Sequence, residues 1–226
     1  MCPIGGCGAN DANRVTLVDT LGFPGGLAVD ATKVYFSDWS GPPFLGGSIS
    51  SCAISGCNDT PDQIITPAYK PSSLAIDGTN AYAVVNMSQV YSGPLNSSTA
   101  GTLIEKKLGT DYRSITAFGG LLYWGDSNNG AIDICPATTC NMNSTVFVSG
   151  QQSPIALAVD TKGVYWIDDA AGTVMFCALA GCNDTPITLA DGLSDYPTAI
   201  ALDAQYVYWT NQGATDNTGT VMRVAR

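Results

Sequence analysis

Eight cysteines, eighteen aspartates, one glutamate and no histidine are the groups of this 226-residue chain that could do chemistry. The cysteines form four pairs with one spacing, C-x4-C: Cys2/Cys7, Cys52/Cys57, Cys135/Cys140 and Cys177/Cys182. A zinc or iron–sulfur site would need four thiolates to converge, and a catalytic redox pair is more often C-x-x-C beside a cation. Pairs this regular and this far apart fit four local disulfides, each contributing roughly 2 kcal/mol in the chain-entropy model. Such complete pairing implies an oxidising compartment: extracellular, cell-surface or periplasmic. Without histidine, Ser-His-Asp and Cys-His catalysis are excluded, as are the commonest zinc sites. The lone Glu105 lies in Leu103-Ile104-Glu105-Lys106-Lys107 and reads as a solvated, ion-paired edge residue, not a metal ligand.

The aspartates recur as well. Asp30, Asp77, Asp160 and Asp203 close one short motif, and Asp38, Asp126 and Asp168 close the next. Gly26-Leu27-Ala28-Val29-Asp30 is followed by Val34-Tyr35-Phe36-Ser37-Asp38. Ala156-Leu157-Ala158-Val159-Asp160 is followed by Val164-Tyr165-Trp166-Ile167-Asp168. Ala199-Ile200-Ala201-Leu202-Asp203 is followed by Val207-Tyr208-Trp209-Thr210-Asn211. With the weaker copies that start at Ser73 and Ser114, the five copies lie 41 to 47 residues apart. A catalytic group is needed once, whereas a packing group is needed in every repeat. The first Asp set therefore reads as a cap that accepts backbone N–H bonds in the tight turn after its strand. The same carboxylates could serve the hydroxyls of Tyr35, Tyr82, Tyr123, Tyr165 and Tyr208.

The elements that position these groups follow from the runs around them. Alternating strands at 47–52, 130–135 and 172–177 end in Cys, and 219–224 is the same strand with Val224 in the Cys place. A short turn and another apolar strand come after each Cys. Each unit thus holds four antiparallel strands, A to D, and a repeat of ~40–45 residues with four strands is a propeller blade. The chain opens at the stage of the C–D turn, with Arg14-Val15-Thr16-Leu17-Val18 as a strand D, and stops at the close of a strand C. The expectation is an all-β, five-bladed β-propeller forming a single domain over 1–226, with four antiparallel strands per blade. The blades fall at approximately 21–67, 68–108, 109–150, 151–191 and 192–226 plus 1–20, the N-terminal strand completing the last blade and closing the ring. A run of blades from a ring of six or seven is the alternative. Composition agrees: 45% hydrophobic and 12% charged residues do not make a disordered chain. No apolar run approaches the ~18 residues of a membrane helix. A net charge of −10 argues against nucleic acid, whose phosphates need clustered Lys and Arg. No export signal precedes Cys2, so the chain reads as mature or trimmed.

The pairing of Leu-Ala-Val-Asp with Val-Tyr-Trp-x-Asp resembles the YWTD propellers of the low-density-lipoprotein-receptor class B type. The match covers all five units and is closest at Ala158-Val159-Asp160 with Tyr165-Trp166-Ile167-Asp168. In the second unit Ala83 and Val85 replace the aromatic and the acid, and in the third Phe118 replaces the first Asp. The resemblance implies that the repeated Asp and aromatic groups brace blade against blade. It also implies that the face carrying the strand-A entry loops binds partner proteins. That family usually has six blades and no C-x4-C clip in each. The chain also looks like secreted bacterial repeat proteins that carry the same blade pattern with C-x4-C turns.

Function is sought where the repeats differ. In a propeller the D–A and B–C loops share one face around the channel. Candidates for binding there are Trp39, Phe44, Tyr69, Tyr112, Arg113, Asn128, Asp169, Tyr196, Asn211 and Asp216, with Phe23 and Lys70 beside them. Aromatic faces interleaved with fixed acceptors suit a protein or glycan partner. The expectation is a secreted, non-catalytic binding module with no cofactor. The alternatives are a structural module of an extracellular or cell-surface assembly and a metal-dependent propeller hydrolase or lactonase. Ca²⁺ could sit at an acidic channel mouth, although the chain has no D-x-D-x-D-G loop. Asn58, Asn86, Asn96, Asn143 and Asn183 begin Asn-x-Ser/Thr sequences that matter only in a eukaryotic source.

Overall fold

The computed structural model describes residues 16–39, 46–66, 69–193, 196–215 and 218–226. These fold into nineteen strands in five antiparallel sheets, the blades of a five-bladed β-propeller. Blade 1 holds β1 (Phe23–Val29), β2 (Lys33–Trp39), β3 (Gly47–Ala53) and β4 (Asp62–Ile65). Blade 2 holds β5 (Pro71–Ile76), β6 (Asn80–Val85), β7 (Gln89–Pro94) and β8 (Thr102–Lys106). Blade 3 holds β9 (Tyr112–Phe118), β10 (Leu121–Asp126), β11 (Ala131–Pro136) and β12 (Thr145–Val148). Blade 4 holds β13 (Pro154–Val159), β14 (Gly163–Asp168), β15 (Thr173–Ala178) and β16 (Ile187–Ala190). Blade 5 holds β17 (Pro197–Leu202), β18 (Tyr206–Asn211) and β19 (Thr220–Ala225).

Within each blade sequential strands are neighbours. Four inner strands begin at or near a proline, and each ladder slips just after it: Pro24/Leu27, Pro71/Ser73, Pro154/Ala156 and Pro197/Ala199. Proline has no N–H to give a ladder, so the start of a strand is where it costs least.

The core lies between blades rather than within them. Tyr35, Ile49, Ile64 and Ile65 of blade 1 meet Leu74, Ala81, Ala83 and Val85 of blade 2. Tyr82, Val84 and Val90 meet Tyr112, Ile115, Leu122 and Trp124. Tyr123, Ile132 and Val148 meet Leu157, Val164 and Trp166, and Tyr165, Ile167 and Val174 meet Val207 and Trp209. Both faces of a middle blade are therefore apolar. The inner strands pack in the order β1, β5, β9, β13, β17; among the described residues β17 and β1 do not pack on each other as these neighbours do. Approach is close enough at Gly125 that an added Cβ would lie 2.5 Å from the carbonyl oxygen of Pro154 in the next blade.

Disulfides join Cys52–Cys57, Cys135–Cys140 and Cys177–Cys182 across the C–D turns. Cys2 and Cys7 lie outside the described residues, as do Arg14 and Val15 of the strand expected to close the ring. After each second cysteine two residues take positive φ: Asn58 and Asp59, Asn141 and Met142, Asn183 and Asp184. Each pair is bridged by an N–H···O bond from Thr60 to Cys57, Asn143 to Cys140 and Thr185 to Cys182. This is the type I′ turn, which favours Asn because both central residues are left-handed.

The turn also reaches back to the preceding blade. Met142 N donates to Ile104 O, Ser144 N donates to Glu105 Oε2 at 3.2 Å, and Asp184 Oδ1 accepts from Ser149 N at 2.7 Å. Glu105 is consequently 3% exposed, not the solvated edge residue its two lysine neighbours suggest. The C–D turn of blade 3 covers it and supplies the backbone donor to Oε2, while Lys106 N donates to Oε1.

Candidate functional site

The two recurrent aspartates do different mechanical work. Asp30 Oδ1 accepts from Thr32 N and Lys33 N at 2.7 and 2.8 Å, and its Oδ2 accepts from the Tyr35 hydroxyl at 2.7 Å. Asp77 repeats this with Thr79, Asn80 and Tyr82, and Asp203 with Gln205, Tyr206 and Tyr208. In blade 4 Arg226 comes between, bonding both Asp160 and the Tyr165 hydroxyl. The backbone N–H of Thr32, the Tyr35 hydroxyl and the N–H of Lys33 hold the Asp30 carboxyl well below the usual carboxylate range. Burial and the Asp30 carboxylate together push the Tyr35 hydroxyl up to about 12.

The second set anchors the opposite end of the blade, where the candidate loops lie. Asp38 Oδ1 accepts from Phe23 N at 2.9 Å. Asp168 accepts from Gln152 N and Ser153 N at 2.8 and 2.7 Å. Asp126 accepts from Asp111 N and from Asn129. Each ties the entry of strand A to the exit of strand B, so the loop face rests on a rigid frame.

The predicted loop residues are spread around that face. Trp39 ends β2 and meets Phe23, with ring centroids 5.2 Å apart, and the Lys70 Nζ stands 5.0 Å from the Trp39 ring centroid. Pro71, Asn86 and Met87 complete a cleft of about 380 Å³ between blades 1 and 2. Tyr69 beside it is half exposed. Arg113 pairs with Asp111 at 2.6 Å on blade 3, and Asn128 and Asp169 are exposed turn residues on blades 3 and 4. Tyr196 is 68% exposed on blade 5, while Asn211 is half-buried with its Nδ2 donating to Thr220 Oγ1. Phe44 and Asp216 lie outside the described residues.

Tyr112 departs from the loop set the sequence predicts. Tyr112 is fully buried in the interface of blades 2 and 3, 5.8 Å from Trp124 between ring centroids, and offers no surface to a ligand. It pairs with Asp126 in the register, the place that Pro71 and Pro154 take in their blades. That place is buried in all three, and comparing the repeats position by position would have revealed it. Met87 lines the cleft but lies outside the loop residues that the sequence predicts. Its signal is weak: an apolar residue in the short Asn-Met-Ser turn of blade 2.

Backbone strain gathers at the same face. Lys70 (φ 47°) and Tyr196 (φ 59°) are left-handed directly before a proline, and Asn86 (φ 52°) and Met87 (φ 58°) are left-handed in the turn between β6 and β7. A non-glycine residue there costs of order 1 kcal/mol or more and needs a surrounding structure that holds it. Among the described residues no three His, Cys, Asp or Glu side chains are grouped to hold a metal ion, and no helix is long and apolar enough to cross a membrane.

No protein-family model matches the chain. Its structure is similar to a chain of the nidogen/laminin complex, at 21% identity and a TM-score of 0.72 over 89% of this chain and 76% of that one. It is similar to the calcium-binding protein regucalcin of Agrobacterium tumefaciens, at 12% identity and 0.62 over 84% and 68%. It is also similar to the computationally designed Ika4 protein, at 18% and 0.50 over 68% and 91%. At these identities the likeness concerns the fold, and that fold is the β-propeller.

Proposed function

We infer that the chain is an exported, non-catalytic binding module of YWTD-like blades that holds a protein partner on its loop face. The cleft of Phe23, Trp39, Lys70, Asn86 and Met87 carries the reading. It combines a tilted aromatic pair, a cation over one ring and an adaptable thioether on a frame fixed by Asp38. Exposed aromatic and Met surface beside a single cation suits a peptide segment that brings an apolar side chain and a carboxylate. A glycan site would draw more on fixed polar acceptors, which here are limited to Asn86 and Ser72. The bridged cysteine pairs support an extracellular, cell-surface or periplasmic location.

The test is affinity capture from the native envelope or medium, with Trp39→Ala and Lys70→Glu as separate variants and a glycan array alongside. Each variant is expected to lose the captured protein at least about tenfold in affinity, or ~1.4 kcal/mol, with an unchanged circular dichroism spectrum. Capture that both variants retain refutes the cleft. A glycan hit without any protein refutes the partner class.

A further inference from the structure

One interface is built four times in this molecule, and each half of it recurs once more with no partner among the described residues. On the face that a blade turns to its successor, strand C places Ile49, Val90, Ile132 and Val174, all 0% exposed. The fifth occupant of that position, Val221, is 73% exposed. On the face turned to the predecessor, strand A places Leu74, Ile115 and Leu157 at 6%, 5% and 9% exposure and a half-buried Ile200, whereas Leu27 of blade 1 is 70% exposed. Val29 follows Leu27 at 63%, and Pro24 is exposed where Pro71, Pro154 and Pro197 are buried.

The strand edges match the faces. Among the described residues β19 pairs only with β18, and none of them forms a strand on the strand-D side of blade 5. Residues 16–18 occupy a strand-D place relative to blade 1: Asp19 N donates to Asp59 Oδ1, as Ser149 N does to Asp184 Oδ1. Yet they belong to no sheet. With Leu21, Leu27, Val34 and Phe36 they line an apolar cavity of about 470 Å³.

We propose that the seam between blade 5 and blade 1 is a docking surface for one further four-stranded repeat of the chain's own pattern. Such a repeat lays its own strand-A Leu and strand-B aromatic on Val221 and Tyr208, and its strand-C Ile or Val on Leu27. It adds a strand D beside β19 and strands A to C beside residues 16–18; one strand plus three make one blade. The interface is continuous with the four already built, so it needs no new contact chemistry. A whole second copy does not satisfy it. The seam demands both faces of a single blade, and in a second copy blades 2 to 4 have both faces covered while each end blade offers one.

The experiment compares the chain with a tandem variant in which residues 183–226 are repeated after Arg226, joined directly or through a six-residue Gly/Ser linker. That segment carries the strand-D sequence of β16 and strands A to C of blade 5, with no cysteine. In the chain itself, the amides of β1 and β19 are expected to exchange at least about 100-fold faster than those of β5 and β15, and Leu27→Asp and Val221→Asp to leave Tm unchanged. In the tandem variant, a monomer by light scattering, β1 and β19 reach the protection of β5 and β15, and the two Asp substitutions lower Tm. Four results overturn the proposal. Full protection of β1 and β19 in the monomeric chain means that its own residues close the seam. The same protection in a dimer means that a second copy fills it. Loss of Tm from the Asp substitutions in the chain means that the faces are already covered. Failure of both tandem versions to protect the two strands means that the repeat does not dock.

Discussion

Asp133 is held where its charge is opposed. It is 1% exposed between blades 2 and 3, and its Oδ2 has no hydrogen-bond partner. Trp124, its cross-strand neighbour, has an unpartnered Nε1. Burial pushes the Asp133 carboxyl up to about 6; Lys107 pulls it down, and Asp126 and Glu105 push it further up. A carboxyl whose pKa is raised on folding contributes stability that is full below its unfolded pKa and is lost as pH rises through the folded one. Asp133→Asn is therefore expected to match the parent near pH 4 and to exceed it at pH 7.5, by on the order of 2 kcal/mol or several degrees in Tm. Equal Tm values at both pH values would refute this. Asp30 and Asp203, held low by backbone N–H and tyrosine hydroxyl donors, have the opposite slope, with stability lost as pH falls below the ordinary carboxylate range. The two roles differ in how legible they are. Asp30 recurs at one position in four blades, and repetition exposes a structural duty. Asp133 stands once between Ile132 and Ile134, where alternation usually means a solvated face, but both faces of a middle blade are covered.

Turns carry the next layer of specificity. The repeated Cys-Asn-Asp-Thr of blades 1 and 4 announces its turn in the sequence, because Asn tolerates left-handed geometry and the clip spacing is constant. What the spacing does not disclose is where the turn leads. Its bonds to the preceding strand D explain why Glu105 is buried, and they depend on blade order rather than on local pattern. The turn between β6 and β7 poses a sharper conflict. Met87 lies at φ 58°, where glycine would be relaxed, yet its side chain is 48% exposed in the cleft. Met87→Gly is expected to stabilise the fold by about 0.5–1 kcal/mol, because the steric penalty of a left-handed residue disappears. The same change is expected to weaken partner capture severalfold. Thermal melts and capture titrations on one preparation check both halves, and a variant that gains stability with capture intact would remove Met87 from the site.

At the scale of the whole molecule, the 41-to-47-residue period made the blades legible, since each unit repeats its strands, turns and core positions. The packing at the first and last blades was not legible, because Leu27 and Val221 are the same residue types as their buried counterparts and only the neighbours differ. The loop face is half legible: Trp39 and Lys70 stand out by contrast among repeats, whereas their meeting across two blades needs the three-dimensional register. The clips have a mechanical consequence. A bridge that spans five residues, with its Cα atoms held 5.4 Å apart in blade 1, conceals roughly 12 Å of extendable chain and constrains nothing beyond its own turn. Pulled from both ends, the oxidised protein is expected to lengthen by that much less for each bridged blade than under reductant, with blade 2 giving the same increment in both conditions. Single-molecule force spectroscopy reads these increments directly. The bridges then act as local stops on a tape that unwinds one blade at a time, and they leave the order of unwinding to the contacts between blades.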